Sequence, residues 1–147
     1  MIRLTPAQLR AVVDAAEAAY PEECCGMLVG RGTRIVTVTR VVASPNLLAG
    51  SGDRFEVDPA LRFGLMRALE GGDERIVGHY HSHPDHPAEP SARDLAMAFE
   101  PDLVWLITAV AGGQAIHTTA HRLDAGRHRF RPVGLRLAPA AGTANSP

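Results

Sequence analysis

The chain contains no lysine: all fifteen of its basic residues are arginine. It therefore offers no side-chain amine on which an isopeptide bond to itself could form. Cysteine is nearly as scarce, with Cys24 and Cys25 adjacent and no others. Neighbouring cysteines seldom pair, because the ring they would close is strained. No disulfide framework is available, which suits a reducing compartment. Without a second Cys-x-x-Cys the pair also makes a poor metal site, and a small, buried, apolar role is the simpler reading. No apolar run approaches the length needed to cross a bilayer. The start, Met1-Ile2-Arg3-Leu4-Thr5-Pro6, lacks the apolar stretch of a signal peptide. Net charge is -1, so there is no basic field to recruit nucleic acid. These absences lead to the expectation of a cytoplasmic protein whose partners are neither nucleic acid nor membrane.

What is present fits one domain. The 147 residues, 46% apolar and 21% charged, can bury a real core but are too few for two ordinary domains. Thr5-Pro6 reads as an N-cap followed by Pro at the first helical position, with Leu9, Val12, Val13, Ala16 and Ala19 at helical spacing up to Tyr20. Cys24 to Val29 reads as a buried strand and Arg34 to Ala43 as a second. A loop follows over Ser44 to Asp53, then a short strand over Arg54 to Val57. Asp58-Pro59 starts a helix that ends at Gly71-Gly72. Ile76 to His83 is the central strand, and Pro84 to Pro90 a proline-stiffened loop. A third helix runs from Ser91 through Phe99. Leu103 to Val110 is an apolar strand holding Trp105, Gln114 to His121 another, and His128 to Pro132 a last short one. The order predicts an α/β fold, a mixed central sheet with helices packed against it. The domain is expected over residues 1–138. The tail 139–147 has little to bury and is expected to be disordered.

The stretch Gly78-His79-Tyr80-His81-Ser82-His83-Pro84, with Ser91 and Asp94 beyond it, carries the chemistry. Residues two apart on a strand share a face, so His81 and His83 can converge on one ion. Two histidines and Asp94 are good ligands for zinc, with a fourth position left open as catalytic sites require. Zinc lowers the pKa of water to near 7, and the chemistry then needs a proton shuttle that does not bind the metal, usually a Glu. Other readings stand beside this one. An isolated histidine pair can be core. Ser-x-x-Asp is close to a capping box, which any helix start can use for stability alone. Glu22 and Glu23 can be solvated residues at a helix end. His79 shares the face of His81 and His83, either as a fourth ligand, which would close the site, or as packing beneath it. His86, in the proline-rich loop, faces either substrate or water.

Taken together, Glu-x-Cys-Gly-x-Leu-x-Gly at Glu23 to Gly30, His-Ser-His-Pro at His81 to Pro84, and Ser91 with Asp94 resemble the JAMM (MPN-plus) metallopeptidases, over roughly residues 1–132. The resemblance implies a cytidine-deaminase-like sandwich with zinc on His81, His83 and Asp94. It selects Glu23, three residues before Gly26, as general acid/base, and gives Ser91 the oxyanion. It implies cleavage of a peptide or isopeptide bond after the C-terminal Gly-Gly of a ubiquitin-like protein. The chain is most similar to the short bacterial branch, which acts on ubiquitin-like sulfur carriers and frees a cysteine or trims residues beyond the diglycine. Spans 42–54 and beyond Phe99 are short, without the insertions of eukaryotic deubiquitinases. A non-catalytic MPN-type scaffold is the alternative, although such members usually lack ligands and none is missing here. Nucleobase deamination needs His-x-Glu and Pro-Cys-x-x-Cys, and neither occurs. The oligomeric state stays open, a homodimer included.

Overall fold

The computed structural model describes residues 1–50, 53–98, 100–124, 126 and 128–139. Its elements are β1 (Ile2–Leu4), α1 (Pro6–Ala19), β2 (Cys25–Arg31), β3 (Val36–Ser44), α2 (Pro59–Leu69), β4 (Arg75–Pro84), α3 (Ala92–Ala96), β5 (Val104–Ala111), β6 (Gln114–Asp124), β7 (Arg129–Val133) and β8 (Leu135–Leu137). The strands form one eight-stranded sheet in the order β7-β6-β5-β4-β2-β3-β1-β8. It is mixed: β4 runs parallel to β5 and antiparallel to β2.

Helix α1 begins where its sequence says it should. Thr5 caps it through a complete capping box with Gln8, and Pro6 takes the first helical position. Its Val12 and Ala16 pack against Leu28, Tyr80, Val104 and Leu106, which cover one face of the sheet. Helix α2 lies on the opposite face, where Leu65 packs with Met27 and Val29. Near α3, Trp105, Leu123 and Ala98 form a further cluster with Phe55, Leu95 and Phe130 around it. Strand pleating divides β4 between the two layers: Tyr80 joins the α1 core, and the odd-numbered histidines face the α2 and α3 side. A β-strand buried on both faces reads as nearly continuous apolar sequence; β4 departs from that rule at Arg75, where it begins, and at its histidines and Ser82.

Three expectations needed correction. Strands β1 and β8 were not expected; they pair in parallel with each other, and β1 pairs with β3. Three residues are too few to show a period, and these strands exist only because distant partners supply their hydrogen bonds. Arg54 to Val57 is not a strand but a single bridge, Asn46 to Val57. Helix α3 stops at Ala96, with Met97 as its C-cap, rather than continuing to Phe99, which lies outside the described residues. The expected disordered tail likewise lies outside them from residue 140 onward. Cys24 and Cys25 are both free and buried, as expected. Among the described residues no helix is long and apolar enough to cross a membrane.

The sheet is closed tightly beneath the histidines. A Cβ placed on Gly78 would lie 2.2 Å from the carbonyl oxygen of Val104. The obstruction is backbone of the neighbouring strand, so no rotamer relieves it. Gly78→Ala is expected to destabilise the fold by about 3 kcal/mol, the upper end of ordinary overpacking, read as a fall in the urea unfolding midpoint.

Candidate active site

Strand β4 delivers His81 and His83 to one face, and α3 brings Asp94 across to them. The Nε2 atoms of His81 and His83 are 3.1 Å apart. Asp94 Oδ2 lies 3.1 Å from His83 Nε2 and 3.4 Å from His81 Nε2. Donors held 2.0–2.1 Å from a tetrahedral centre are separated by about 3.3 Å. The three side chains therefore have the spacing of three corners of a zinc tetrahedron. Their chemistry, two imidazole nitrogens and a carboxylate oxygen, also suits that ion. Glu23 stands beside them: one carboxylate oxygen and the two imidazole donors all fall within 4.8 Å of one another, forming a buried group that could hold a metal.

The tautomer of His83 is set by its surroundings. Its Nδ1 lies 2.8 Å from the carbonyl oxygen of Pro87, which can only accept, so Nδ1 carries the proton and Nε2 presents a lone pair in the neutral ring. His81 is held differently. Its Nδ1 is buried without a hydrogen-bond partner among the described residues, and its ring is stacked on Phe55 with centroids 4.2 Å apart and planes 15° from parallel. With nothing bonded to Nδ1, the Phe55 stack and the Nε2 contact with Asp94 orient that histidine. Neither Phe55 nor the Pro87 carbonyl was legible as a site element: the first lies 26 residues upstream of His81 by the numbering, and the second is backbone.

Electrostatics separate the acidic groups. Glu23 is 5% exposed, and burial, opposed by the charge of His83, pushes its carboxyl up to about 7. Burial would raise Asp94 too, but the hydrogen bonds from His81 and His83 outweigh it and hold that carboxyl well below the usual range. Burial lowers His81; in His83 burial is outweighed by the Asp94 and Pro87 hydrogen bonds, and its pKa rises. The arrangement thus pairs one carboxylate kept ionised with a second that exchanges a proton near neutrality, the division of labour that acid–base hydrolysis uses.

Ser91 is the N-cap of α3. Its Oγ accepts from the Asp94 N–H at 3.0 Å, and Asp94 Oδ2 accepts from the Ser91 N–H at 2.9 Å. The capping box is therefore real, and it also fixes the carboxylate that faces the histidines. Glu23, His83, His86, Ser91 and Arg93 line one open cleft of about 350 Å³; His86 is exposed there. His121 is bonded to Thr119 and lines an adjoining hollow with Ser91 and Leu95.

His79 lies one pleat back from His81. Its ring meets Trp105 edge-on at 4.2 Å and lies 5.9 Å from Phe55, and its Nδ1 is buried without a partner among the described residues. It packs beneath the site. Burial drives its pKa down to about 3. The unfolded ring, near 6.5, binds a proton that the folded ring refuses, so stability is complete above about pH 6.5 and falls as pH drops toward 3. The slope from this one group is at most ~1.4 kcal/mol per pH unit. His79→Phe is expected to make the zinc-free protein's stability less steep in pH over that window, measured by urea unfolding at successive pH values; an unchanged slope would contradict it.

Comparison with known proteins places the chain in a family. The chain belongs to the Prok-JAB family, the prokaryotic homologs of the JAB domain, and matches its pattern over residues 5–123. Among individual relatives, it is 36% identical to the desampylase of Haloferax volcanii over 105 residues, 71% of this chain and 74% of that one. It is 28% identical to the CysO-cysteine peptidase of Mycobacterium tuberculosis over 132 residues, 86% of each. A crystal structure of a JAB1/MPN domain protein from Archaeoglobus fulgidus, 18% identical, superposes with a TM-score of 0.57 over 92% of this chain and 96% of that one. That likeness shows the fold, the JAB/MPN arrangement of a mixed sheet between helices.

Proposed function

We propose that this protein is a zinc-dependent hydrolase that cleaves the peptide or isopeptide bond after the C-terminal Gly-Gly of a ubiquitin-like sulfur carrier, releasing cysteine or C-terminal residues. The observation that carries the proposal is the convergence of His81, His83 and Asp94 at 3.1–3.4 Å, with a proton-holding Glu23 beside them. The relatives, a desampylase and a CysO-cysteine peptidase, support the substrate class.

In this reading His81, His83 and Asp94 hold the metal. Zinc bound there supplies Lewis acidity, polarising a carbonyl and acidifying water toward neutral pH. Glu23 takes a proton from the attacking water and hands it to the leaving amine. The Ser91 cap leaves its hydroxyl proton unspent, because the cap uses an oxygen lone pair as acceptor; that proton is the donor to the oxyanion, a contact strongest in the transition state. A diglycine tail, carrying no side chains, can bring its backbone close to the site in this cleft.

Purified protein is expected to carry about one zinc per chain and to cleave a carrier whose C-terminal Gly-Gly is extended by cysteine. Chelation should abolish cleavage and zinc alone should restore it. Full cleavage by metal-free protein would overturn the proposal, and binding of the carrier without cleavage by the zinc-loaded form would favour the scaffold alternative.

A further inference from the structure

Resting on the role just given to Glu23, we infer that Asn46 and Ser82 are positioning residues that clamp the Glu23–Cys24 peptide and so fix the general base against the histidines. Glu23 and Cys24 precede β2, which begins at Cys25, so this peptide lies ahead of the strand that follows it. Two side chains hold it instead. Asn46 Nδ2 donates to the Glu23 carbonyl at 3.0 Å, and the Cys24 N–H donates to Ser82 Oγ at 2.8 Å. The oxygen and the N–H of one peptide plane are thus each tied to a side chain, and with them the direction in which the Glu23 Cα–Cβ bond points.

Each anchor is built into something rigid. Ser82 is fully buried, on β4 between His81 and His83, so one strand sets both histidines and, through the opposite face, the base. Its own N–H returns to the Cys24 carbonyl at 3.3 Å. Asn46 uses its whole amide. Nδ2 also donates to the Arg54 carbonyl at 2.9 Å, while Oδ1 accepts from the N–H groups of Leu48 at 2.9 Å and Glu56 at 3.0 Å. Reversing the amide would set donors against donors and acceptors against acceptors, so its orientation is determined. Asn46 therefore knits the two limbs of the 46–57 loop and pins them to Glu23. The same loop carries Phe55, which orients His81, and Gly50, whose N–H meets Glu22 at 3.0 Å. An aspartate at position 46 would match the shape but lose both donors and face two carbonyl oxygens.

The test combines kinetics on the zinc-loaded protein with amide exchange on the zinc-free one. Ser82→Ala and Asn46→Asp are each expected to keep about one zinc per chain, leave KM within about twofold, and lower kcat roughly 10- to 100-fold, the scale of a misplaced catalytic group. Ser82→Thr, which keeps the hydroxyl, should restore most of the loss. In a Glu23→Gln background the two substitutions should cost nothing further, because the group they position is gone. Amide exchange should show Cys24 losing at least about tenfold of its protection in Ser82→Ala, with Leu28 unchanged. Wild-type kcat in both variants, or an undiminished loss in the Glu23→Gln background, would overturn the inference. If the wild type cleaves no carrier adduct, the proposed reaction fails by itself; the exchange measurement then decides the clamp, which an unchanged Cys24 amide would refute and a deprotected one would uphold.

Discussion

Glu23→Gln is expected to keep its zinc and lose about 10²- to 10⁴-fold in kcat, the range of a positioned acid–base group. The amide has nearly the shape of the carboxylate, so the packing of this 5%-exposed side chain survives, but it can neither take nor return a proton near neutrality. Because His81, His83 and Asp94 already approach one another at metal-ligand spacing without it, metal content should not follow activity. A variant that turned over at the wild-type rate would remove Glu23 from the mechanism, and one that lost zinc with activity would make it a ligand. The measurement is metal content beside steady-state cleavage of the carrier adduct.

Asp94 has two duties, and two substitutions separate them. Asp94→Asn keeps an oxygen that accepts from the Ser91 N–H, so the cap of α3 is expected to persist. The charge that faces both histidines is lost, and zinc affinity and cleavage should fall by at least about 100-fold, comparable to or beyond the loss of an outer partner. Asp94→Ala should match that functional loss and in addition destabilise the zinc-free protein by about 1 kcal/mol, the ordinary worth of a helix cap. The checks are zinc titration by calorimetry and urea unfolding without metal. Equal stabilities for the two variants would mean that the capping contact seen between Ser91 and Asp94 contributes nothing; wild-type zinc affinity in both would remove Asp94 from the metal site.

Much of this site could be read from the chain because its parts obey local rules. His81 and His83 share a face by the pleat of one strand, and Ser91 places Asp94 by the geometry of one helix start. Each is a relation over a few residues, set by φ and ψ preferences that hold in any fold. The first helix was legible for the same reason, through Thr5-Pro6 and the spacing of Val12 and Ala16. Other parts obey no local rule. Phe55 reaches the His81 ring, and Asn46 the Glu23 carbonyl, only because the chain folds back over itself; nothing in the neighbourhood of either residue marks it. The Pro87 carbonyl that orients His83 is invisible in any list of side chains.

Local spacing therefore placed the two histidines on their strand, the cap that holds Asp94, and the outline of a sheet between helices. These follow from periods and spacings of one to four residues. Tertiary structure alone decided the rest. It made strands of Ile2–Leu4 and Leu135–Leu137 by pairing them, brought Glu23 from 58 residues before His81 to within 4.8 Å of the imidazole donors, and desolvated its carboxyl until it holds a proton near neutral pH. Burial and long-range hydrogen bonds are properties of the packed chain, and no stretch of residues carries them before the packing exists.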